Sequence, residues 1–134
     1  MTVIDTSGVV DFLLADGVAG EVEEQMTREG ELAAPDLLVF ETLAVLRRET
    51  LRGRLAETRA AGAVLDLGDL PIELFPSLPQ RERAWELREN LAAADALFVA
   101  LAEELGEPLA TKDLGLADAA AKHGGIDVMA LGGG

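Results

Sequence analysis

An α/β protein built on a parallel sheet is the fold class this sequence predicts, on three grounds. Short apolar, β-capable runs alternate with longer segments of helical period, the order that places helices over both faces of a parallel sheet. Glycine, proline and capping residues punctuate the boundaries. The 49% apolar and 27% charged composition is that of a folded chain with a core, far from disorder.

Val3 and Ile4 form a first short strand, after which Thr6 or Ser7 caps a helix carrying Val9, Val10, Phe12, Leu13 and Leu14, closed by Asp16-Gly17. A second, acidic helix spans about Ala19 to Arg28 and stops at Gly30. Leu32-Ala33-Ala34 is a strand ended by Pro35, and Asp36 is the next cap. From Leu37 the positions Leu38, Val39, Leu43, Leu46, Leu51 and Leu55 recur at helical spacing, broken near Gly53, which predicts two consecutive helices with Glu41 inside the first. Ile72 to Phe75, bracketed by Pro71 and Pro76, reads as an outer strand, because proline cannot donate to a ladder. Helices follow over about Gln80 to Glu89 and Ala93 to Leu105, the latter ended by Gly106. Pro108 to Thr111 is the next strand, with Asp113 opening the loop after it. A helix over about Leu116 to His123 and a strand at Asp127 to Met129 complete the pattern. Residues 1–134 read as one domain without internal repeats, with 130–134 as a flexible tail.

With no cysteine, a disulfide framework, a thiolate metal site and a thiol nucleophile are all excluded. The opening residues lack the basic and apolar regions of a signal peptide, and no apolar run reaches about 18 residues, so a cytoplasmic protein with no membrane span is expected. A formal charge of −14 opposes non-specific nucleic-acid binding, which needs lysine and arginine to displace counterions. The distribution is uneven, however. Arg47, Arg48, Arg52, Arg54 and Arg59 fall in one stretch opposed only by Glu49 and Glu57. It reads either as a solvated helix face with local ion pairs or as a docking strip for RNA backbone or an acidic partner segment.

Four acids stand apart. Asp5 and Asp113 lie just past the carboxyl ends of strands, where open parallel sheets place ligand sites. Asp95 falls in the opening turn of an apolar helix, whose dipole favours an anion, and Glu41 sits among Phe40, Leu43 and Ala44. A carboxylate on an apolar stripe needs a partner or a metal. If the four converge, only Lys112 is adjacent in sequence to neutralise them, and a divalent cation resolves the repulsion. Oxygen donors without histidine or cysteine select Mg²⁺, with Mn²⁺ as substitute, over Zn²⁺.

The blocks around these acids resemble the PIN-domain ribonucleases, and among them the VapC toxins of bacterial toxin–antitoxin pairs. Val3-Ile4-Asp5-Thr6-Ser7 looks like the first family motif. The segment Pro35 to Arg48, with its acid at Glu41, resembles the second; Asp95 to Glu103 is similar to the third, and Leu109 to Asp113 to the fourth. Family order and family-like spacing extend the resemblance over nearly the whole chain. It implies a three-layer α/β/α sandwich with a short, mostly parallel sheet and a Mg²⁺-dependent endoribonuclease. Asp5 and Asp95 would be the principal metal ligands, Glu41 and Asp113 would complete the shell, and Thr6 and Thr111 would hold carboxylate orientations. It also implies an RNA substrate, a VapB-like antitoxin and a homodimer. The chain departs from many VapC-like relatives at Ala92, Ala94 and Phe98, where hydroxyl-bearing residues are missing near the site.

Arg47, Arg48 and Arg88 are candidate contacts for RNA or antitoxin. Trp85 with Leu87 spaces like core packing, with a stacked RNA base as the alternative for Trp85, and His123, near a helix C-terminus, fits a structural role. Surplus leucine and valine on the helices near Val9 to Leu14 and Leu43 to Leu55 would serve the core or a partner. One rival function is a PIN-like binding module or co-repressor that no longer cuts, which substitution of a ligand acid would signal. Another is a phosphoryl-accepting α/β domain. The haloacid-dehalogenase type of that domain needs a second aspartate where Ser7 stands, and for a receiver the acceptors Asp66 and Asp69 sit in poor context.

Overall fold

A computed structural model describes residues 1–133. Among them five strands and seven α-helices follow one another as β1 (Val3–Ile4), α1 (Thr6–Leu13), α2 (Ala19–Glu29), β2 (Leu32–Pro35), α3 (Leu37–Leu51), α4 (Glu57–Leu67) and β3 (Ile72–Phe75). A 3-10 turn (Leu78–Gln80) leads into α5 (Arg81–Glu86), then α6 (Ala93–Leu105), β4 (Leu109–Thr111), α7 (Leu114–His123) and β5 (Val128–Ala130). All strands are parallel, in the order β3-β2-β1-β4-β5. The sheet is therefore wholly parallel, flanked by helices in three α/β/α layers. Helices α1, α2, α3 and α4 pack on one another, while α5 packs on α6, which lies against β1, β2 and β4.

Order on the sheet positions the site. From β1 the chain steps outward to β2 and β3, then returns across the sheet to β4 on the other flank of β1. Val3 pairs with Leu109 and Ile4 with Ala110. Beyond their carboxyl ends the two flanking connections diverge, which leaves a crevice at this switch point. The run Ile72–Phe75, bracketed by two prolines that cannot donate to a ladder, is an edge strand as expected.

Several local expectations change. Asp5 itself, not Thr6 or Ser7, caps α1 by accepting the Gly8 N–H at 3.3 Å. Asp113, expected to open a loop, caps α7, which starts two residues early, by accepting the Leu116 N–H at 3.0 Å. Asp36 stands at the start of α3 without making a capping bond; its Oδ1 instead takes the Ser77 hydroxyl at 2.5 Å, which ties α3 to the segment after β3. The helix expected over 80–89 ends at Glu86. The tail expected from residue 130 starts later: Ala130 belongs to β5, and Leu131 is buried and donates its N–H to the Thr111 carbonyl at 2.8 Å. Gly134 lies outside the described residues.

The core joins Val3, Ile4, Val9, Leu32, Leu38, Phe98, Leu101 and Leu109, each worth about 1.5–3 kcal/mol when fully removed from water. On α3 only Leu38, Thr42 and Leu46 are buried, one narrow line at intervals of four; Val39, Phe40, Leu43 and Leu51 face outward. The apolar residues of α1 serve the core, whereas on α3 several beyond the buried Leu38 and Leu46 are left exposed. Trp85, expected to pack inside with Leu87, is 67% exposed while Leu87 is buried. Thr42 Oγ1 is buried without a hydrogen-bond partner. Thr42→Val should therefore raise the urea unfolding free energy by about 1 kcal/mol, since it removes an unpaired polar atom at nearly constant shape. A loss of stability would mean that the hydroxyl is paired.

Candidate active site

Four elements deliver the acids to one place. Asp5 follows β1, Asp113 follows β4, Glu41 sits in the second turn of α3, and Asp95 in the first turn of α6. All four line a single cavity of about 980 Å³. The convergence expected from sequence is thus present as a shared cavity at the switch point.

Each carboxylate is held differently. Asp5 is 6% exposed; its Oδ2 accepts the Thr111 hydroxyl at 2.6 Å and its Oδ1 the Ser7 hydroxyl at 2.8 Å. The Thr111 oxygen in turn accepts the Asp113 N–H at 3.0 Å, so one buried hydroxyl links the ends of β1 and β4. Thr6 donates to Glu41 Oε1 at 2.6 Å. Thr6 and Thr111 thus each donate a hydroxyl to one carboxylate of the set.

Charge in the cavity is poorly compensated. Burial raises the Asp5 carboxyl above its ordinary value, opposed by the hydrogen bonds from Thr111, Ser7 and Gly8, while the charge of Asp113 adds to the rise. Asp95 is pushed up to about 6 by burial first, then by the like charges of Asp113, Glu41 and Asp5, and every influence on it acts upward. Lys112, the one cation adjacent in sequence, gives its ammonium to Asp11 Oδ2 at 2.8 Å. Asp11 is buried, lines the same cavity and also accepts the Val18 N–H at 3.0 Å. Gly17, at φ +47°, passes so close to this carboxylate that a Cβ there would overlap Asp11 Oδ2. Asp11 was not singled out from sequence. Its signal is the one that marks Glu41, a lone acid among Val9, Val10, Phe12 and Leu13.

The basic residues divide. Arg48 lines the cavity, joined by Arg54 and Arg59 from the α3–α4 connection and α4. Arg47, one residue from Arg48, is exposed and off the cavity. Arg88 is also remote from it: the guanidinium stacks 4.7 Å from the centre of the Trp85 ring, beyond the end of α5. His123 closes α7 and its carbonyl accepts from Arg83. The receiver-type acceptors fail on position, since Asp66 is on α4 and Asp69 follows it, both exposed and off the sheet.

The donor set suits a hard cation, because it is all oxygen and carries more negative charge than the nearby cations neutralise. Among the described residues no three acidic or histidine side chains already form a coordination shell. Their oxygens are instead engaged locally, Asp5 by Thr111 and Ser7, Glu41 by Thr6, and Asp113 by the Leu116 N–H.

A parallel α/β/α sheet with carboxylates gathered at its switch point defines an acid-site α/β domain. The family model described as PIN domain matches residues 2–122, and the chain belongs to that family. It is similar to Ribonuclease VapC9 of Mycobacterium tuberculosis, 38% identical over 118 residues that cover 88% of this chain and 90% of the relative. It is also similar to Ribonuclease VapC12 of the same organism, 30% identical over 130 residues that cover 97% and 100%. The crystal structure of PAE2754 from Pyrobaculum aerophilum shares the fold with a TM-score of 0.67 at 23% identity, covering 94% of this chain and 87% of that one. The VapC-like character expected from the four motifs is borne out. Among the described residues no helix is long and apolar enough to cross a membrane.

Proposed function

We propose that this chain is a Mg²⁺-dependent endoribonuclease, with Mn²⁺ able to substitute, acting as the toxin of a VapBC-type pair. The observation that carries the reading is the set of four carboxylates from β1, α3, α6 and β4 around one cavity, in a PIN-domain chain similar to proteins named ribonuclease VapC. Asp5 and Asp95 would be the principal ligands of the cation, with Glu41 and Asp113 completing the shell. When bound, the cation supplies an activated water and charge stabilisation for attack on an RNA phosphodiester. The residues of the chain do the rest. Thr111 and Ser7 fix the lone pairs of Asp5, Thr6 fixes one oxygen of Glu41, and the cap of α7 orients Asp113. Retention of all four acids favours an active enzyme over a binding module.

The partners follow from surface chemistry. Phe40, 71% exposed, with Leu43, Leu51, Val64 and Leu65 gives α3 and α4 an apolar face, which supports a cognate VapB-like antitoxin and a homodimer as its occupants.

Metal binding is tested by thermal unfolding. At about 100 times its Kd a cation that binds only the folded state contributes about 2.7 kcal/mol, so saturating Mn²⁺ should raise Tm by about 8 °C. Asp5→Asn should remove most of that gain. A melting curve indifferent to Mn²⁺ counts directly against the site.

A further inference from the structure

We infer that Arg48, Arg54 and Arg59, which share the cavity of the four carboxylates, form a phosphate-binding wall that takes the RNA backbone flanking the scissile bond. The inference rests on the ribonuclease reading and extends it to where the strand runs. A chain of net charge −14 repels RNA at long range, and its acidic pocket would repel a phosphodiester at short range. Cations must therefore line the approach.

Of the five arginines between 47 and 59, the fold turns three toward the cavity and leaves Arg47 and Arg52 off it. Helical phase explains the first member. Arg48 lies seven residues after Glu41, nearly two full turns, so the two share one face of α3 about 10 Å apart along its axis. That separation places Arg48 beside the carboxylate set and not within it.

The guanidinium groups are poised and available. Glu49 sits between Arg48, at 3.9 Å, and Arg54, at 3.3 Å, and the two arginine side chains remain 50% and 64% exposed. Exposed pairs of this kind are worth about 0–1 kcal/mol, so they yield readily to a phosphate, which takes paired N–H donors from a guanidinium. Arg59 anchors one N–H on the Leu14 carbonyl at the cavity rim. An acidic peptide would match the charge, but continuity of the wall with the carboxylate set favours a polyanion that passes both.

The test uses the full chain carrying Asp95→Asn and a fluorescein-labelled, mixed-sequence 20-nucleotide single-stranded RNA, read by anisotropy over a range of salt. Arg48→Gln with Arg54→Gln should weaken binding about tenfold and reduce the salt slope by about 0.7 per lost phosphate contact. Arg52→Gln with Lys122→Gln removes the same charge away from the cavity and should change neither. With Asp95 intact, the first pair should raise KM for RNA hydrolysis with kcat within about twofold. Equal losses from both pairs, RNA binding insensitive to salt, or no RNA binding at all would overturn the wall. Unchanged RNA binding with weakened capture of the cognate antitoxin would overturn it as well, and would assign these arginines to a protein contact. A wild-type chain that cuts no RNA while the arginine dependence of binding persists would sink the ribonuclease reading alone. Cleavage that proceeds alike in both pairs would sink the wall alone.

Discussion

Asp95→Asn is expected to stabilise the metal-free protein at pH 7.5 and, in the same molecule, to lower RNA cleavage by about 10³-fold. The first effect follows from the carboxyl being raised from 3.8 to about 6 by burial and by the charges of Asp113, Glu41 and Asp5. A carboxyl raised on folding contributes fully below its unfolded value. That contribution is lost as pH climbs from about 4 to about 6, and it stays lost above, because the folded state must then hold an anion it disfavours. Because the group is only half buried and solvent screens part of the effect, the cost is about 2 kcal/mol and not the full value of the shift. Urea unfolding in EDTA at pH 4 and at pH 7.5 should show the wild type losing that amount relative to the asparagine variant, so the general repulsion of an acidic chain cancels in the comparison. Saturating Mn²⁺ should reverse the order, stabilising the wild type far more than the variant. The second effect follows because a cation held short of one principal carboxylate forfeits several kcal/mol of transition-state stabilisation, and each 1.36 kcal/mol is tenfold in rate. An asparagine variant less stable than the wild type in EDTA at pH 7.5 would mean that the acids do not repel one another. Wild-type cleavage by that variant would assign the chemistry to other residues.

Local context is what made the acids readable in the sequence. Asp5 and Asp113 were marked by the strands that precede them, Asp95 by the first turn of its helix, and Glu41 by its apolar neighbours. In each case the local pattern already makes a charge costly or gives it a special position. The arginines carry no such mark. Whether Arg47 or Arg48 meets the cavity depends on the phase of α3, and whether Arg54 and Arg59 do depends on how the chain turns at Gly53, at φ +74°. Arg88, a candidate contact for RNA or antitoxin, lies just beyond α5, which ends at Glu86, and its guanidinium stacks over Trp85 and not in the cavity. Caps were blurred for a related reason. Thr6 and Ser7 are good capping residues, yet Asp5 takes the role because its carboxylate, already at the strand end, reaches the Gly8 N–H. The periodic leucines and valines of α3 indicated an apolar face without saying what covers it, and Phe40, Leu43 and Leu51 are exposed. The order β3-β2-β1-β4-β5 was beyond local pattern altogether, since alternation dictates parallel crossovers and leaves open the side on which each new strand is added.

Thr111→Val should reduce metal-dependent cleavage by about 10- to 100-fold, the loss seen when a group that orients a metal ligand is removed. Thr111 is 1% exposed and its hydroxyl has two duties, donating to Asp5 Oδ2 and accepting the Asp113 N–H. Valine keeps the shape and abandons both partners, which costs about 1–3 kcal/mol of stability for each buried group left unpaired. A positioning role is separated from that structural cost by the pH profile. The Thr111 bond is the largest of those that hold the Asp5 carboxyl down against burial, so without it the carboxyl rises further. The acidic limb of the pH–rate profile should then move to higher pH, because on the proposed reading Asp5 would have to be ionised to hold the cation. Thr111→Ser keeps the hydroxyl and sheds only a methyl group; it should restore most of the activity and return the limb to its wild-type position even if its Tm stays low. Rescue of Tm without rescue of the limb would mean that Thr111 merely packs. A valine variant with an unmoved limb and wild-type cleavage would show that Asp5 keeps its orientation unaided.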